Sequence, residues 1–344
     1  MFIQRLECNI LKISNIKNLE SEEISKIANK ILIYLISILF VTLSTFLGIL
    51  IDAILGIPIL FCLLFFLIST FQVIFGLSVV TRTITKVVNA HSLKSNNSKS
   101  VKSILSSEKT DELNTIVSSV KEKVGYTEDL ELMVISSPSI NALSAGIRSH
   151  DHVICITTGA LEKLTREEIK SVIYHEMYHI IKGDTNYMTS VSGTFGSPML
   201  TFTLASRRIK KLNEKIRRDE KHSIMEYVRA DFLIAILITI ISFLFFPISF
   251  LSNLFVGVRK EFDADKYAAL NTSKETLIEV LRKVKNNCQK LENDYFFMQH
   301  LFFSQPNCKE PSKRVSRIIG TYPSIDERIK ALEELKIDEN SDKQ

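Results

Sequence analysis

Charge-free stretches alternate with amphipathic ones along this chain, and their order lays out most of an architecture. Ile31 to Ile51 and Ile57 to Val80 contain no charged residue, and each is long enough, as a helix, to cross a hydrocarbon core of about 30 Å. A third apolar run, Phe232 to Val258, has Pro247 in its middle. Elsewhere the pattern becomes periodic. Ser107 precedes an acidic first turn, and Leu113, Ile116, Val117 and Val120 recur on one face before a stop at Gly125, which predicts a helix. Leu130 to Ile135 and His152 to Thr157 read as strands, with Asn141 to Gly146 an irregular or extended piece between them. Thr165 and Glu168 then form a capping box. Ile169, Val172, Ile173, Ile180 and Ile181 follow at helical spacing, and Lys182-Gly183 supplies a basic last turn and a stop. Two more helices are predicted, near Phe255 to Leu270 and near Ser273 to Asn293. Helix, strands and helices in this order give an α+β, mostly helical fold with a small sheet, carried on transmembrane helices.

The same pattern divides the chain. Residues 1–30 form an N-terminal cytoplasmic lead, 31–80 a transmembrane helical hairpin, and 81–106 a juxtamembrane linker that is rich in Ser, Asn and Lys from Asn89 onward. A folded domain occupies 107–336, with a membrane-associated insert at about 187–258, and 337–344 is a polar tail. The first apolar run is long for a signal h-region and lacks a small-residue cleavage site, so it reads as a retained anchor. Lys12, Lys17, Lys26 and Lys30 precede it, Arg82 and Lys86 follow the second run, and the connection around Asp52 to Gly56 has neither Lys nor Arg. The positive-inside rule therefore puts both outer ends in the cytoplasm.

Composition adds two constraints. The net charge of +5 comes from basic residues beside apolar spans, which speaks for a lipid bilayer and against nucleic acid as a partner. Five cysteines, Cys8, Cys62, Cys155, Cys288 and Cys308, show no CxxC pairing. That spacing predicts a reducing compartment without a disulfide framework.

The chemistry is concentrated in His175-Glu176-Met177-Tyr178-His179. On a helix the two imidazoles, four residues apart, share one face and can take two corners of a zinc tetrahedron, while Glu176 reaches the metal-bound water. A single histidine on such a face is more often a buried hydrogen-bonding group; the pair with its glutamate is not. A catalytic zinc takes a third protein ligand, and Glu261 in Lys260-Glu261-Phe262-Asp263-Ala264-Asp265 is the candidate. Helical spacing aligns it with Asp265, which can accept the free ring N–H of a ligating histidine. Ala264 and Ala268 would let this helix approach the metal helix closely. On spacing alone the run also reads as a solvated acidic turn.

The motif helix ending in Gly183-Asp184, the later Glu261 to Asp265 motif, and the upstream Asn141-Ala142-Leu143-Ser144-Ala145-Gly146 before the Val153 to Gly159 strand together resemble the HtpX family. These are membrane-embedded zinc endopeptidases related to the CAAX prenyl endopeptidases. The resemblance runs from about Met133 to Glu334. It implies a gluzincin-type metallopeptidase domain at 107–336 with one zinc ion per chain on His175, His179 and Glu261. Glu176 would be the general base and Asp265 the acceptor behind a ligand. Asn141 and Ala142 lie in the segment that binds substrate backbone. Tyr322-Pro323-Ser324-Ile325-Asp326-Glu327-Arg328 resembles a family motif that opens on His-Pro-Pro and ends on Arg. Arg328 fits its catalytic place, and Tyr322 stands where the family has the histidine that helps hold the oxyanion. A phenol donates that hydrogen bond but carries no positive charge near neutral pH.

The resemblance implies polypeptide substrates, among them damaged or misfolded membrane proteins, and a place in a bacterial inner membrane with the catalytic domain facing the cytoplasm. The alternative, for which Tyr322 speaks, is a catalytically silent membrane adaptor that keeps the fold for binding. One topological condition applies to both: an even number of crossings must separate His179 from Glu261, so Phe232 to Val258 needs a partner. The family arrangement of four helices would place it near Tyr187 to Leu204.

Overall fold

The computed structural model describes residues 2–94, 105–218, 258–291, 298–306 and 323–335, with isolated helical positions between 233 and 243 and side chains from Glu23 onward. Tyr322, most of the Phe232 to Val258 run and the 337–344 tail lie outside the described residues. By its contacts the chain divides into two compact units, one of residues 1–34, 81–189 and 256–344, the other of residues 35–80 and 190–255.

In the second unit the two charge-free runs are helices. The first belongs to α1 (Phe2–Leu55), which is continuous with the lead, and the second to α2 (Leu60–Val87). Within them Glu23–Leu55 and Leu60–Val87 are long and apolar enough to cross a membrane. They display Phe46, Leu63, Leu67, Phe71 and Ile74 outward, a face that water would penalise and hydrocarbon would not. Their hairpin is built by two residues. An added Cβ at Gly48 would come within 2.5 Å of the Phe61 carbonyl oxygen, so only glycine lets the helices meet there. The Asp52 carboxylate accepts from the N–H groups of Phe61 and Cys62, both at 2.9 Å, which satisfies donors at the start of α2 that no helical carbonyl can reach.

The first unit carries the sheet and the motif helix. Strands β1 (Ala90–Ser92), β2 (Leu130–Ile135), β3 (Ala142–Ala145) and β4 (His152–Thr157) form one sheet in the order β1-β2-β4-β3. β2 and β4 pair parallel, and β1 and β3 pair antiparallel to β2 and β4 respectively. Ala90–Ser92 therefore belongs to the sheet, although composition reads it as linker. A three-residue edge strand needs no apolar pattern of its own once β2 supplies its hydrogen bonds. Asn141 to Gly146 resolves into an edge strand buried along its whole length.

Helix α3 (Ser107–Lys123) turns Leu113, Ile116, Val117 and Val120 into the core, as the spacing predicts. After the short α4 (Thr158–Lys163) comes α5 (Arg166–Lys182), the motif helix. Then follow α6 (Asp184–Phe195), α7 (Ser197–Arg218), α8 (Val258–Asn271), α9 (Lys274–Asn286), a 3-10 turn at Gln299–Leu301 and α10 (Ile325–Glu333). The Tyr187 to Leu204 segment is divided between α6 and α7, which break at Gly196, just ahead of Pro198. The core joins Val134, Ile154 and Ile156 of the sheet to Val172, Ile173 and Met177 of α5 and to Leu277, Val280 and Leu281 of α9. Cys62 and Cys155 are free, but Cys288 is disulfide-bonded. Spacing did not reveal that bond, because pairing follows the distance between Cα atoms and not the distance along the chain.

The start of α5 is fixed by the predicted capping box and by one further contact. Thr165 N–H donates to Glu168 Oε2 at 2.7 Å, and Lys283 Nζ of α9 donates to the same oxygen at 2.7 Å. Burial pushes the Glu168 carboxyl up, but the Lys283 and Thr165 hydrogen bonds outweigh it and hold the group below the usual carboxylate range. A depressed native pKa contributes stability above the unfolded value and loses it as pH falls through the native one. Replacing Glu168 with Ala is expected to cost about 1–2 kcal/mol near neutral pH. In thermal unfolding scans the gap from the parent should shrink as the pH is lowered through the carboxylate range.

Candidate metal centre

Helix α5 ends on Gly183, which adopts the left-handed conformation at φ 76°. His175 and His179 therefore sit in the last two turns of a helix capped at both ends. The chain reverses at Gly183 into α6, and Asp184 follows the turn at once. Helix α8 packs along α5 through Ala264 and Ala268, both fully buried, so the small-residue stripe does bring the two helices together. This contact sets Glu261 opposite the histidines.

The result is a convergence of three ligand atoms. The Nε2 atoms of His175 and His179 are 3.2 Å apart. Glu261 Oε2 lies 3.5 Å from His175 Nε2, and Glu261 Oε1 lies 3.6 Å from His179 Nε2. Among the described residues this is the cluster of His, Cys, Asp and Glu side chains able to hold a metal ion. Glu261 Oε2 is buried and makes no hydrogen bond. A carboxylate oxygen left so in a protein interior costs free energy unless a cation meets it. Two imidazole nitrogens and a carboxylate are also the donor set of a catalytic zinc site. The residues therefore fit a divalent cation.

Behind each histidine stands a carboxylate. His175 Nδ1 is 3.0 Å from Asp265 Oδ1, the pairing that helical spacing anticipates. Asp265 is in turn gripped by Arg328: Nε donates to Oδ2 at 2.7 Å and Nη2 donates to Oδ1 at 2.6 Å, while Nη1 donates to the Phe303 carbonyl at 2.6 Å. Arg328 is 1% exposed. It thus stands behind Asp265, bonded to that carboxylate and to the Phe303 carbonyl, at the place for which the resemblance implies a catalytic role. Sequence reasoning missed the second support. His179 Nδ1 faces Asp184 Oδ2 at 3.6 Å, and Lys260 Nζ holds Asp184 Oδ1. The signal was available, since a second ligating histidine needs an acceptor of its own and Asp184 follows the helix stop directly.

These pairings govern the protons. Burial pushes Asp265 up, yet Arg328 and His175 together bring its carboxyl down to about 2. Burial pulls the His175 imidazole down, while its hydrogen bond to Asp265 and the nearby Glu261 carboxylate raise it to about 9. A divalent cation at the convergence point would compete for the nitrogen that this proton occupies. Glu176 is 1% exposed. Burial raises its carboxyl above the usual range, with the two histidines and Ser144 offsetting part of that rise.

A cavity opens on this cluster, lined by Glu176, His179 and Glu261 and by His300, Leu301 and Phe302. The 298–306 segment was not identified from sequence. It is held by the residues expected to bind substrate. Asn141 Nδ2 donates to the Ser304 carbonyl at 2.9 Å, and Asn141 Oδ1 accepts from Ser304 N–H at 3.1 Å and from Ala142 N–H at 2.9 Å. The Ala142 carbonyl accepts from Phe303 N–H at 2.7 Å. Here Asn141 and Ala142 thus serve the chain's own strand-like segment, a partner some 160 residues away that local pattern cannot disclose. Phe303 also packs its ring edge-on to His175, 4.9 Å between centroids, and lies under Arg328.

The sequence profile of peptidase family M48 matches residues 107–336. Protease HtpX of Buchnera aphidicola subsp. Schizaphis graminum is 28% identical over 207 residues, which cover 60% of this chain and 67% of that protein. Protease HtpX of Wigglesworthia glossinidia brevipalpis is 26% identical over 260 residues, covering 75% and 83%. The crystal structure of S. mikatae Ste24p aligns with a TM-score of 0.42 at 17% identity, over 90% of this chain and 66% of that one. The family match spans both motif helices and strands β2, β3 and β4, and on that match the chain belongs to peptidase family M48 and is a metalloendopeptidase.

Proposed function

We propose that this chain is a membrane endopeptidase that uses one zinc ion, held by His175, His179 and Glu261, to hydrolyse peptide bonds in misfolded or damaged membrane proteins. The observation that carries the reading is the convergence of Nε2, Nε2 and carboxylate oxygens from α5 and α8 on one buried point, with Glu261 Oε2 unbonded. The relatives named Protease HtpX support polypeptide substrates. The two apolar helices support a membrane setting. Lys12, Lys17, Lys26 and Lys30 ahead of the first charge-free run, and Arg82 and Lys86 after the second, support a cytoplasmic catalytic unit.

When bound, zinc supplies Lewis acidity to the scissile carbonyl and makes a nearby water acidic. Glu176 takes the proton of that water during attack and passes it to the leaving amine, and its raised carboxyl pKa suits a group that must both accept and release. Asp265 accepts from His175 Nδ1, which leaves Nε2 as the donor to metal. Arg328 keeps Asp265 ionised and oriented, and Asp184 with Lys260 does the same for His179.

The Glu176→Gln protein is expected to bind zinc as the parent does and to cleave an unfolded membrane-protein substrate at least about 100-fold more slowly. Equal rates for the two proteins in a timed digestion would end the assignment and favour the silent adaptor. His175→Ala and His179→Ala should purify with little zinc by elemental analysis, since each removes one of three ligands. Arg328→Ala should weaken zinc binding about 10- to 100-fold in chelator competition. It should also cost about 3–5 kcal/mol in unfolding, because the buried Asp265 charge loses its guanidinium and keeps His175 alone.

A further inference from the structure

We propose that Asn29 of α1 is a positioning residue of the metal centre and orients the second histidine, His179, by way of Asp184. Between Glu23 and Lys30 the helix shows an inverted pattern. Ile24 and Ile27 are 66% and 57% exposed, whereas Asn29 is 6% exposed and is the one buried residue of that stretch. A helix that turns isoleucine out and an amide in is held there by polar partners, since a buried amide without them costs free energy. Asn29 Nδ2 donates to the Lys182 carbonyl at 3.3 Å and to Asp184 Oδ1 at 3.5 Å. Both partners are acceptors, so the nitrogen of the amide and not its oxygen must face them.

Capping the end of the motif helix accounts for the first of these bonds. A helix leaves its last carbonyls without helical donors, and the Lys182 carbonyl also accepts from Ser25 Oγ at 3.2 Å. Capping does not account for the second. Gly183 lies directly against α1, where an added Cβ would meet Lys26 Cγ at 3.3 Å and Asn29 Nδ2 at 3.6 Å. That close approach carries the amide past the helix end to Asp184. There Oδ1 accepts from both Asn29 and Lys260, and Oδ2 faces His179 Nδ1 at 3.6 Å. A carboxylate so placed turns the imidazole with Nδ1 toward itself and Nε2 toward the convergence point. Lys260 reaches Asp184 from α8 and Asn29 reaches it from α1, so two separate elements fix the acceptor behind His179.

The assignment rests on zinc at His175, His179 and Glu261, and its test reads the metal directly. Asn29→Ala in the full-length protein should weaken zinc binding about 3- to 10-fold in chelator competition. Ser25→Ala removes a bond to the same Lys182 carbonyl but none to Asp184, and should bind zinc as the parent does. Asp184→Asn should weaken binding by itself. Adding Asn29→Ala to it should change the affinity by less than about two-fold, since both act through one carboxylate. Asn29→Asp keeps the volume, removes the donor and should lose at least as much affinity as Asn29→Ala, so it stands in if the alanine protein does not fold. Binding equal to the parent in either Asn29 variant, an equal loss in Ser25→Ala, or losses that multiply in the double variant would each overturn the proposal. A parent without zinc affinity would overturn the metal reading and this assignment with it, so the two failures are told apart.

Discussion

Removing an ionised carboxylate from water costs several kcal/mol unless donors surround it, and Asp265, at 1% exposure, is such a group. Its two oxygens are met by Arg328 on one side and by His175 on the other. This three-part contact joins three helices: α5 supplies the imidazole, α8 the carboxylate and α10 the guanidinium. The pairing also sets the ring orientation of His175, so the constraint that makes the burial tolerable is the one that aims a nitrogen at Glu261. Structure and chemistry depend here on the same three side chains.

Around this contact the fold provides stiffness. The capping box and the Lys283 contact fix one end of α5, Gly183 fixes the other, and two alanines let α8 lie close enough for Glu261 to reach across. Asp184 and Lys260 repeat the Asp265 and Arg328 arrangement on the second histidine, with a smaller and more exposed cation. Arg328 forms two hydrogen bonds to its carboxylate and Lys260 forms one, so the inner support is the more rigid of the two.

What the sequence disclosed followed from local period. His175, Glu176 and His179 were legible because a helix repeats every three to four residues and places i and i+4 on one face, and the same rule aligns Glu261 with Asp265, which the resemblance then set apart from a solvated acidic turn. The apolar faces of α3 and α5 and the cap at Thr165 are of the same local kind, while the cap of α3 falls on Ser106, one residue ahead of the Ser107 that the acidic first turn suggested. The obscured features are those settled by distant partners. Ala90–Ser92 becomes a strand only because β2 accepts it, and Asn141 meets Ser304 across 163 residues. Arg328 was found by resemblance, but its work behind Asp265 was not, since no spacing rule links positions 63 apart.

The separation of these partners along the chain has a consequence for biosynthesis. Asp265 follows His175 by 90 residues, and Arg328 follows Asp265 by a further 63. At about 5–20 residues per second, roughly ten to thirty seconds pass between the emergence of the first imidazole and that of the guanidinium that locks its support. During that interval the motif helix exists without its finished surroundings, and a nascent chain at that stage is poorly equipped to cut its neighbours on the ribosome. Competence thus arrives late in translation, set by the linear order of the gene product and without a separate propeptide being needed for the delay.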